Sequence, residues 1–405
     1  MNYEAASALL EKYGQQHLLH YYEKLSDSQK ATLLEAIETI DFSAFKNLNT
    51  EEKKELGSVT PIDALPLKEI KKQASRFVQT GNAAIREGRV GVVLLAGGQG
   101  TRLGFDGPKG TFNIGVNRPL YIFECQINNI KACCTEAGVL PHLFIMTGPQ
   151  NDEVTRNFFE EHDYFGYDKK LVHFFVQGVA PAISPDGKIL MESRYKPVLT
   201  PDGNGGWFKA LNKAYGRMLT KWGIEWINLA GVDNVLQRIC DPVFIGATIG
   251  SGANCGAKSV KKVAPDERVG VICKEDGVPT VIEYYDMPQK LKVRRDVKGE
   301  LIYCYGVILN YLFSVEKLKE TISKKLPYHL AEKKIPCLKG GKKFVPETPN
   351  GYKMEQLAVD LVKLMGSCVA YEVEREKEFA PVKNATGVDS VESARQLLIK
   401  NGVEL

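Results

Sequence analysis

From residue 90 onward, short β-branched apolar runs alternate with amphipathic helical segments, and this alternation restricts the chain to a sheet covered by helices. Val90–Leu95 is a continuous apolar run, and residues 143–147, 172–177 and 226–232 are mainly apolar runs of strand length, as expected for buried strands. Between them, residues near 120–132, Asp152–Glu161 and 207–219 carry apolar positions at helical spacing. Strand–helix–strand alternation favours parallel pairing, with ligands bound at the carboxyl ends of the strands. The expected class is therefore α/β: a Rossmann-like mixed, mainly parallel sheet flanked by helices. Further strands are expected at 255–260, 269–273 and 278–284, followed by a mixed region reaching Val373.

Ahead of this lies a different texture. Leu9, Leu10, Tyr13, Leu18, Leu19, Tyr22 and Leu25 recur at helical spacing, and Ser26 with Gln29 forms a capping box for a helix through Leu33, Leu34 and Ile37. A chain of 405 residues has the length for two or three domains. The expected division is a helical amino-terminal module at 1–85, an α/β catalytic domain at 86–385 and a short helical segment at 386–405. The lysine-rich stretches at 52–54 and 68–72 read as solvated helix faces.

Where the Val90–Leu95 run ends, residues 94–110 read Leu-Leu-Ala-Gly-Gly-Gln-Gly-Thr-Arg-Leu-Gly-Phe-Asp-Gly-Pro-Lys-Gly. Glycines 97, 98 and 100 permit positive φ and close backbone approach, so that successive N–H groups can turn toward phosphate oxygens. Arg102 and Lys109 supply the charge that backbone dipoles cannot. A Walker loop requires Gly-Lys followed by Ser or Thr, whereas Lys109 lies between Pro108 and Gly110; a dinucleotide fingerprint requires glycine where Leu103 stands. The loop reads as a nucleoside triphosphate cradle. The plainer alternative is a glycine-rich strand-to-helix turn, which has no need of the two cations.

The balance of 53 basic and 49 acidic residues, net +4 and without a basic block, suits phosphorylated small molecules rather than nucleic acid. Nine cysteines without a Cys-x-x-Cys pair read as reduced core thiols. Glu4 and Glu11 inside a helical pattern argue against a secretory signal, and no apolar run reaches membrane-spanning length. A soluble, cytoplasmic protein is expected, with no membrane partner. The six histidines, at 17, 20, 142, 162, 173 and 329, show no ligand spacing.

Three further features carry polar chemistry. Pro201-Asp202-Gly203-Asn204-Gly205-Gly206 precedes a helix near Trp207, and Asn204 can both donate to and accept from a base edge or sugar hydroxyl; the same residues also suit a plain turn. Gln177 ends an apolar strand, where a buried amide needs a partner such as a base carbonyl or imide. Asp233-Asn234 follows the 226–232 strand. One carboxylate joined by phosphate oxygens is a usual way to hold Mg²⁺, with an Asx turn or helix cap as the alternative.

Together, the 94–110 loop, the 201–206 segment and Val232-Asp233-Asn234 resemble the eukaryotic UDP-N-acetylglucosamine pyrophosphorylases, of the UDP-sugar pyrophosphorylase family. The similarity extends to residues 14–19, Gly256-Ala257-Lys258, Glu283-Tyr284, Asn350-Gly351-Tyr352-Lys353-Met354-Glu355 and Pro381-Val382-Lys383-Asn384-Ala385, and so spans nearly the whole chain. The resemblance implies the nucleotidyltransferase fold and the reaction of UTP with a sugar 1-phosphate to give a UDP-sugar and pyrophosphate, with Mg²⁺ (or Mn²⁺) as cofactor. It implies that Leu95, Ala96, Gly97, Gly98, Gln177, Gly203, Asn204 and Lys353 hold the nucleotide. Arg102 and Lys109 would face the β- and γ-phosphates, Lys383 the reacting phosphates and Asp233 the metal, with Gly270, Glu283, Tyr284 and position 307 at the sugar.

The sequence also departs from the family's pattern. Val307 stands where the family carries asparagine, and Leu357 and Val359 replace aromatic residues of its N-acetyl pocket. With about 20 residues following Lys383, the family's β-rich carboxyl-terminal domain is expected to be missing, and a monomer or weak homodimer is expected. The reading is an enzyme making UDP-N-acetylglucosamine. Its rivals are an enzyme of the same class acting on glucose or galactose 1-phosphate, and a non-catalytic nucleotide-sugar binding protein.

Overall fold

The structure, a computed structural model, describes residues 1–47 and 56–405; the lysine-rich stretch at 52–54 lies outside the described residues. The chain divides into two compact units. One comprises Met1–Glu55, Gln177–Gly206 and Leu326–Leu357; the other comprises Leu56–Val176, Trp207–Lys325 and Ala358–Leu405.

The second unit is built on an 11-stranded sheet. Its main path runs Ala64–Leu65, Val369–Glu372, Cys255–Lys261, Tyr305–Ser314, Trp226–Gly231, Val90–Leu95, His142–Thr147, Val172–Val176. Val90–Leu95 lies parallel to both Trp226–Gly231 and His142–Thr147, which in turn lies parallel to Val172–Val176. Every residue of Val90–Leu95 is buried, in keeping with a strand covered on both faces. Tyr305–Ser314 enters antiparallel between Trp226–Gly231 and Cys255–Lys261, so the sheet is mixed and mainly parallel, as expected. The helices Ile122–Cys133, Asp152–Glu161 and Trp207–Lys221 follow their strands close to the expected bounds. Val92, Leu94, Ile127, Leu143, Phe159 and Leu312 belong to one core cluster.

The inserted strand carries an irregularity. Its register against Cys255–Lys261 shifts between Val307 and Tyr311, and Leu309 lies in the left-handed region at φ 55°. Bulges of this kind re-aim side chains at the rims of sheets.

The first unit begins with the helices Tyr3–Lys12 and Asp27–Thr39, the latter opened by the expected Ser26/Gln29 capping box. Leu10, Leu18, Leu33 and Ile37 pack with Ala180, Ile183, Ile189 and Met354 in a separate core. The helical pattern read over residues 1–85 is interrupted by two short strands that belong to the second unit. Val59–Pro61 pairs with Val271–Glu275, and Ala64–Leu65 pairs with Val369–Glu372. Pro61 and Pro66 oppose helix here, and β-branched Val59 and Thr60 favour extension.

Candidate nucleotide site

Leu95 ends its strand against Met146 and Gly231, and the loop turns immediately afterwards: Ala96 N–H donates to Met146 O at 2.8 Å. Asn151 then supports the loop from beneath. Its amide donates to Ala96 O at 3.3 Å and Gly98 O at 3.4 Å, and its oxygen accepts from Gly148 N–H at 2.7 Å. The expected positive φ occurs at none of glycines 97, 98 and 100, Gly100 sitting at φ −81°; Gly104 takes that role at φ 68°, capping the turn Thr101–Leu103. At Gly98, by contrast, an added Cβ would point into open space. Packing within the protein does not demand glycine there, whereas close approach by a ligand would.

The loop returns through a Gln99–Pro108 bridge and Lys109 N–H donating to Gly98 O at 3.1 Å, which brings Lys109 under the glycines. Lys109 is buried, and its Nζ lies 2.7 Å from Asp233 Oδ1. Arg102, on the loop's short turn, is exposed. The structure thus brings together a phosphate-type loop, its lysine and the carboxylate expected to bind metal, from segments far apart in sequence.

Asp233 is held rigidly at its strand end. Gln126, on the Ile122–Cys133 helix, donates to Val232 O at 2.9 Å and Asn234 O at 3.0 Å, while Asn129 donates to Val235 O at 2.9 Å. Gln237 donates to Gly231 O and to Gln126 Oε1. Buried amides that satisfy each other in this way fix backbone geometry. None of them was singled out from sequence; the available signal was Gln126 and Asn129 one helical turn apart on the helix Ile122–Cys133, Gln126 standing between the apolar Cys125 and Ile127.

Lys383 reaches the same region through backbone pairing. Val382 N–H donates to Asp233 O at 2.8 Å and Val235 N–H to Ala380 O at 3.2 Å. The Asn234 side chain splints the two segments, donating to Glu378 O at 2.7 Å and accepting from Ala380 N–H at 2.8 Å. The Lys383 ammonium itself lies 3.1 Å from Asp389 Oδ2.

Beneath this strap is a buried charge cluster. Lys258 Nζ, with its side chain fully inaccessible, meets Glu378 Oε2 at 2.6 Å, Asp241 Oδ2 at 3.0 Å and Arg238 O at 3.1 Å. Burial alone would raise the Asp241 carboxyl, but Lys258 and Arg238 outweigh it and hold that carboxyl below its ordinary value. Glu378 remains above its ordinary value because burial and neighbouring Asp241 oppose its ionisation more than Lys258 favours it.

Gly270, Glu283 and position 307 also meet in this unit. Val307 N–H donates to Gly270 O at 2.9 Å, and a Cβ on Gly270 would lie 3.2 Å from Glu283 Oε1. Val307 is buried, with no side-chain polar atom to offer a ligand. Tyr284 follows half-buried, edge-on to Tyr285. Asn310, further along the same strand, is fully buried and committed to Asn228, Gln237 and Arg238 O.

The remaining expected nucleotide-binding residues belong to the first unit, where backbone bonds join the segments that carry them. Gly203, at φ 86°, forms a bridge with Gln356; Gly205 N–H donates to Gln356 O at 2.8 Å, Gln356 N–H to Asp202 O at 2.7 Å, and Asp202 N–H to Gly178 O at 3.1 Å. This joins the segments carrying Gln177, Asn204 and Lys353. Gln177 is buried.

The mixed sheet, its flanking helices and the cation-bearing loop at the strand ends define a nucleotidyltransferase-type α/β protein. The chain belongs to the UDPGP family, described as UTP--glucose-1-phosphate uridylyltransferase, whose pattern it matches over residues 34–402. It is 36% identical over 419 residues to UDP-N-acetylglucosamine diphosphorylase 1 of Arabidopsis thaliana, covering 96% of this chain and 81% of that protein. Identity to the UDP-N-acetylglucosamine pyrophosphorylase of Saccharomyces cerevisiae is 34% over 423 residues, or 96% and 88% of the two chains. The fold is similar to that of the uridine diphosphate N-acetylglucosamine pyrophosphorylase of Trypanosoma brucei, solved in complex with an inhibitor. The TM-score is 0.83 at 31% identity, covering 98% of this chain and 84% of that one. Among the described residues, no helix is long and apolar enough to cross a membrane.

Proposed function

We propose that the chain is a uridylyltransferase that converts UTP and N-acetylglucosamine 1-phosphate to UDP-N-acetylglucosamine and pyrophosphate. The observation that carries this reading is the Lys109–Asp233 pair at the glycine loop, in a chain similar over nearly its full length to enzymes named for that product. The sugar phosphate oxygen attacks the α-phosphorus of UTP; the new P–O bond forms as the bond to the leaving pyrophosphate breaks. That oxygen is already anionic, so no general base is required. Placement and charge neutralisation supply the acceleration. Lys109 and Arg102 neutralise the leaving pyrophosphate, and Lys383 the reacting phosphates. Leu95, Ala96, Gly97 and Gly98 bring their backbone to the nucleotide, and Gln177, Gly203, Asn204 and Lys353 serve the uridine portion. Gly270, Glu283, Tyr284 and Val307 form the sugar side. The proposed location is the cytoplasm.

Asp233 fits Mg²⁺ (or Mn²⁺): its carboxylate offers hard oxygen donors, partly exposed, beside the lysine that would meet the same phosphates. Asp233 would hold the cation, which would supply charge neutralisation to the phosphates. Asp233→Asn should then raise the Mg²⁺ concentration needed for half-maximal rate by at least about tenfold, the loss typical even of outer-shell partners of a metal. A metal titration of the initial rate measures this, and an unchanged curve would move the metal elsewhere.

The reading is tested by offering UTP with a panel of sugar 1-phosphates and measuring pyrophosphate. Release with none of them would leave the binding-protein alternative. Because apolar Val307 lies beside Gly270 and Glu283, the expected result is turnover of N-acetylglucosamine 1-phosphate with weak discrimination against glucose 1-phosphate and N-acetylgalactosamine 1-phosphate. Val307→Asn should sharpen the preference for the acetylated sugar by about 1 to 2 kcal/mol through one added hydrogen bond. The ratio of kcat/KM across the three sugars decides it; strong selectivity in the unaltered protein would exclude position 307 as the determinant.

A further inference from the structure

Lys383 is held from its carboxyl side as well as by the strap that precedes it. Its own N–H and that of Asn384 both donate to Asp389 O, at 2.7 and 3.0 Å. Asn384 Nδ2 donates to Val388 O at 2.9 Å, and Val391 N–H returns to Asn384 O at 3.1 Å. The 384–390 loop is therefore closed at its base on the lysine. Asp389 completes the closure in the left-handed region, at φ 54°, a conformation costly for a residue with a Cβ and more tolerable for Asp and Asn than for most others. From that position its carboxylate receives the Lys383 ammonium at 3.1 Å. Ser390 next caps the helix Val391–Lys400, which fixes the far end of the loop.

We propose that Asp389 is a positioning residue for Lys383, anchoring the ammonium so that it meets the reacting phosphates in one orientation. This rests on the role proposed above for Lys383. A lysine stem has many rotamers, and confining it in advance removes part of the ordering cost that engaging the transition state would otherwise incur. An ammonium has three donors, so one bond to Asp389 leaves two for phosphate oxygens. Strained backbone at such a point is the pattern expected when local geometry serves a site.

The backbone supplies a clean test. Asn tolerates the left-handed region as Asp does, and Gly adopts it without strain, so Asp389→Asn and Asp389→Gly preserve the loop while removing the carboxylate. Both variants should lower kcat about tenfold, within the range of coupling energies between neighbouring residues, with KM for UTP changed less than about twofold. Lys383→Ala should lower kcat further, and adding Asp389→Asn to it should cause no additional decrease. Unchanged or faster turnover in both Asp389 variants overturns the inference, as does an additive decrease in the double variant, which would mark a merely structural role. If Lys383→Ala alone turned over like the unaltered protein, the role of Lys383 itself would fall instead.

Discussion

Lys109→Ala is expected to slow turnover by roughly two to three orders of magnitude. Removing one preorganised group that faces developing charge costs roughly 3 to 4 kcal/mol of transition-state stabilisation. Lys109 is well placed for that effect: its stem is buried beneath the glycine loop, and its ammonium is fixed 2.7 Å from Asp233. A buried, oriented cation needs little reorganisation when the pyrophosphate departs. In the variant, Asp233 is partly exposed and can be rehydrated, so the fold should survive and the loss should appear in kcat rather than in yield. Arg102→Ala should be comparably slow if the exposed guanidinium swings onto the same leaving group. Steady-state kinetics with saturating UTP and sugar phosphate measures both. A wild-type rate in both variants would refute the assignment of the loop.

The largest effect on stability is expected at Lys258→Met. This change removes the ammonium between Asp241 and Glu378, leaving Glu378 without its ion-pair partner and Asp241 with Arg238 alone, the two buried carboxylates still close together. Breaking a buried ion pair in this way typically costs about 3 to 5 kcal/mol. The loss should be greatest near neutral pH and shrink as pH falls, because protonating Asp241 and Glu378 removes the uncompensated charge from the variant. The unaltered protein behaves in the opposite sense at Asp241. Its folded pKa is depressed, so the stability it contributes is full above the unfolded value, about 3.9, and is lost as pH falls through the folded value. Denaturant unfolding of both proteins at neutral and mildly acidic pH would show the difference narrowing on acidification; a difference below about 1 kcal/mol at neutral pH would mean that the carboxylates find other partners. Because Glu378 starts the strap that leads to Lys383, activity should fall together with stability.

Elements written in local chemistry were legible without coordinates. The all-buried Val90–Leu95 strand follows from an unbroken apolar run, and the Ser26/Gln29 capping box from two residues three apart. Family resemblance named Lys109, Asp233 and Lys383 as members of one site, and the structure places Lys109 on Asp233 and the backbone of Val382 on Asp233. Glycine composition was a weaker guide to conformation: none of glycines 97, 98 and 100 takes a positive φ, and the left-handed residue of the loop is Gly104.

What the sequence by itself determined is therefore the main strands and helices between residues 90 and 232 and the capped amino-terminal helix, since helical and strand periodicity and caps act over a few residues; the short strands Val59–Pro61 and Ala64–Leu65, which form only by pairing with distant segments, escaped it. It also marked out the 94–110 loop as a candidate phosphate cradle, because glycines and cations cluster within one short segment. Only the tertiary structure decided which distant groups became partners: Gln126 with the carbonyls flanking Asp233, Asn234 with the Lys383 strap, Lys258 with Asp241 and Glu378, and Asp389 with Lys383. The antiparallel entry of Tyr305–Ser314 into a parallel sheet, and the bulge at Leu309, belong to the same category. These pairings depend on strand order and on burial. A polar side chain removed from water must be satisfied by whatever group the fold delivers to it, and local sequence does not specify which group that will be.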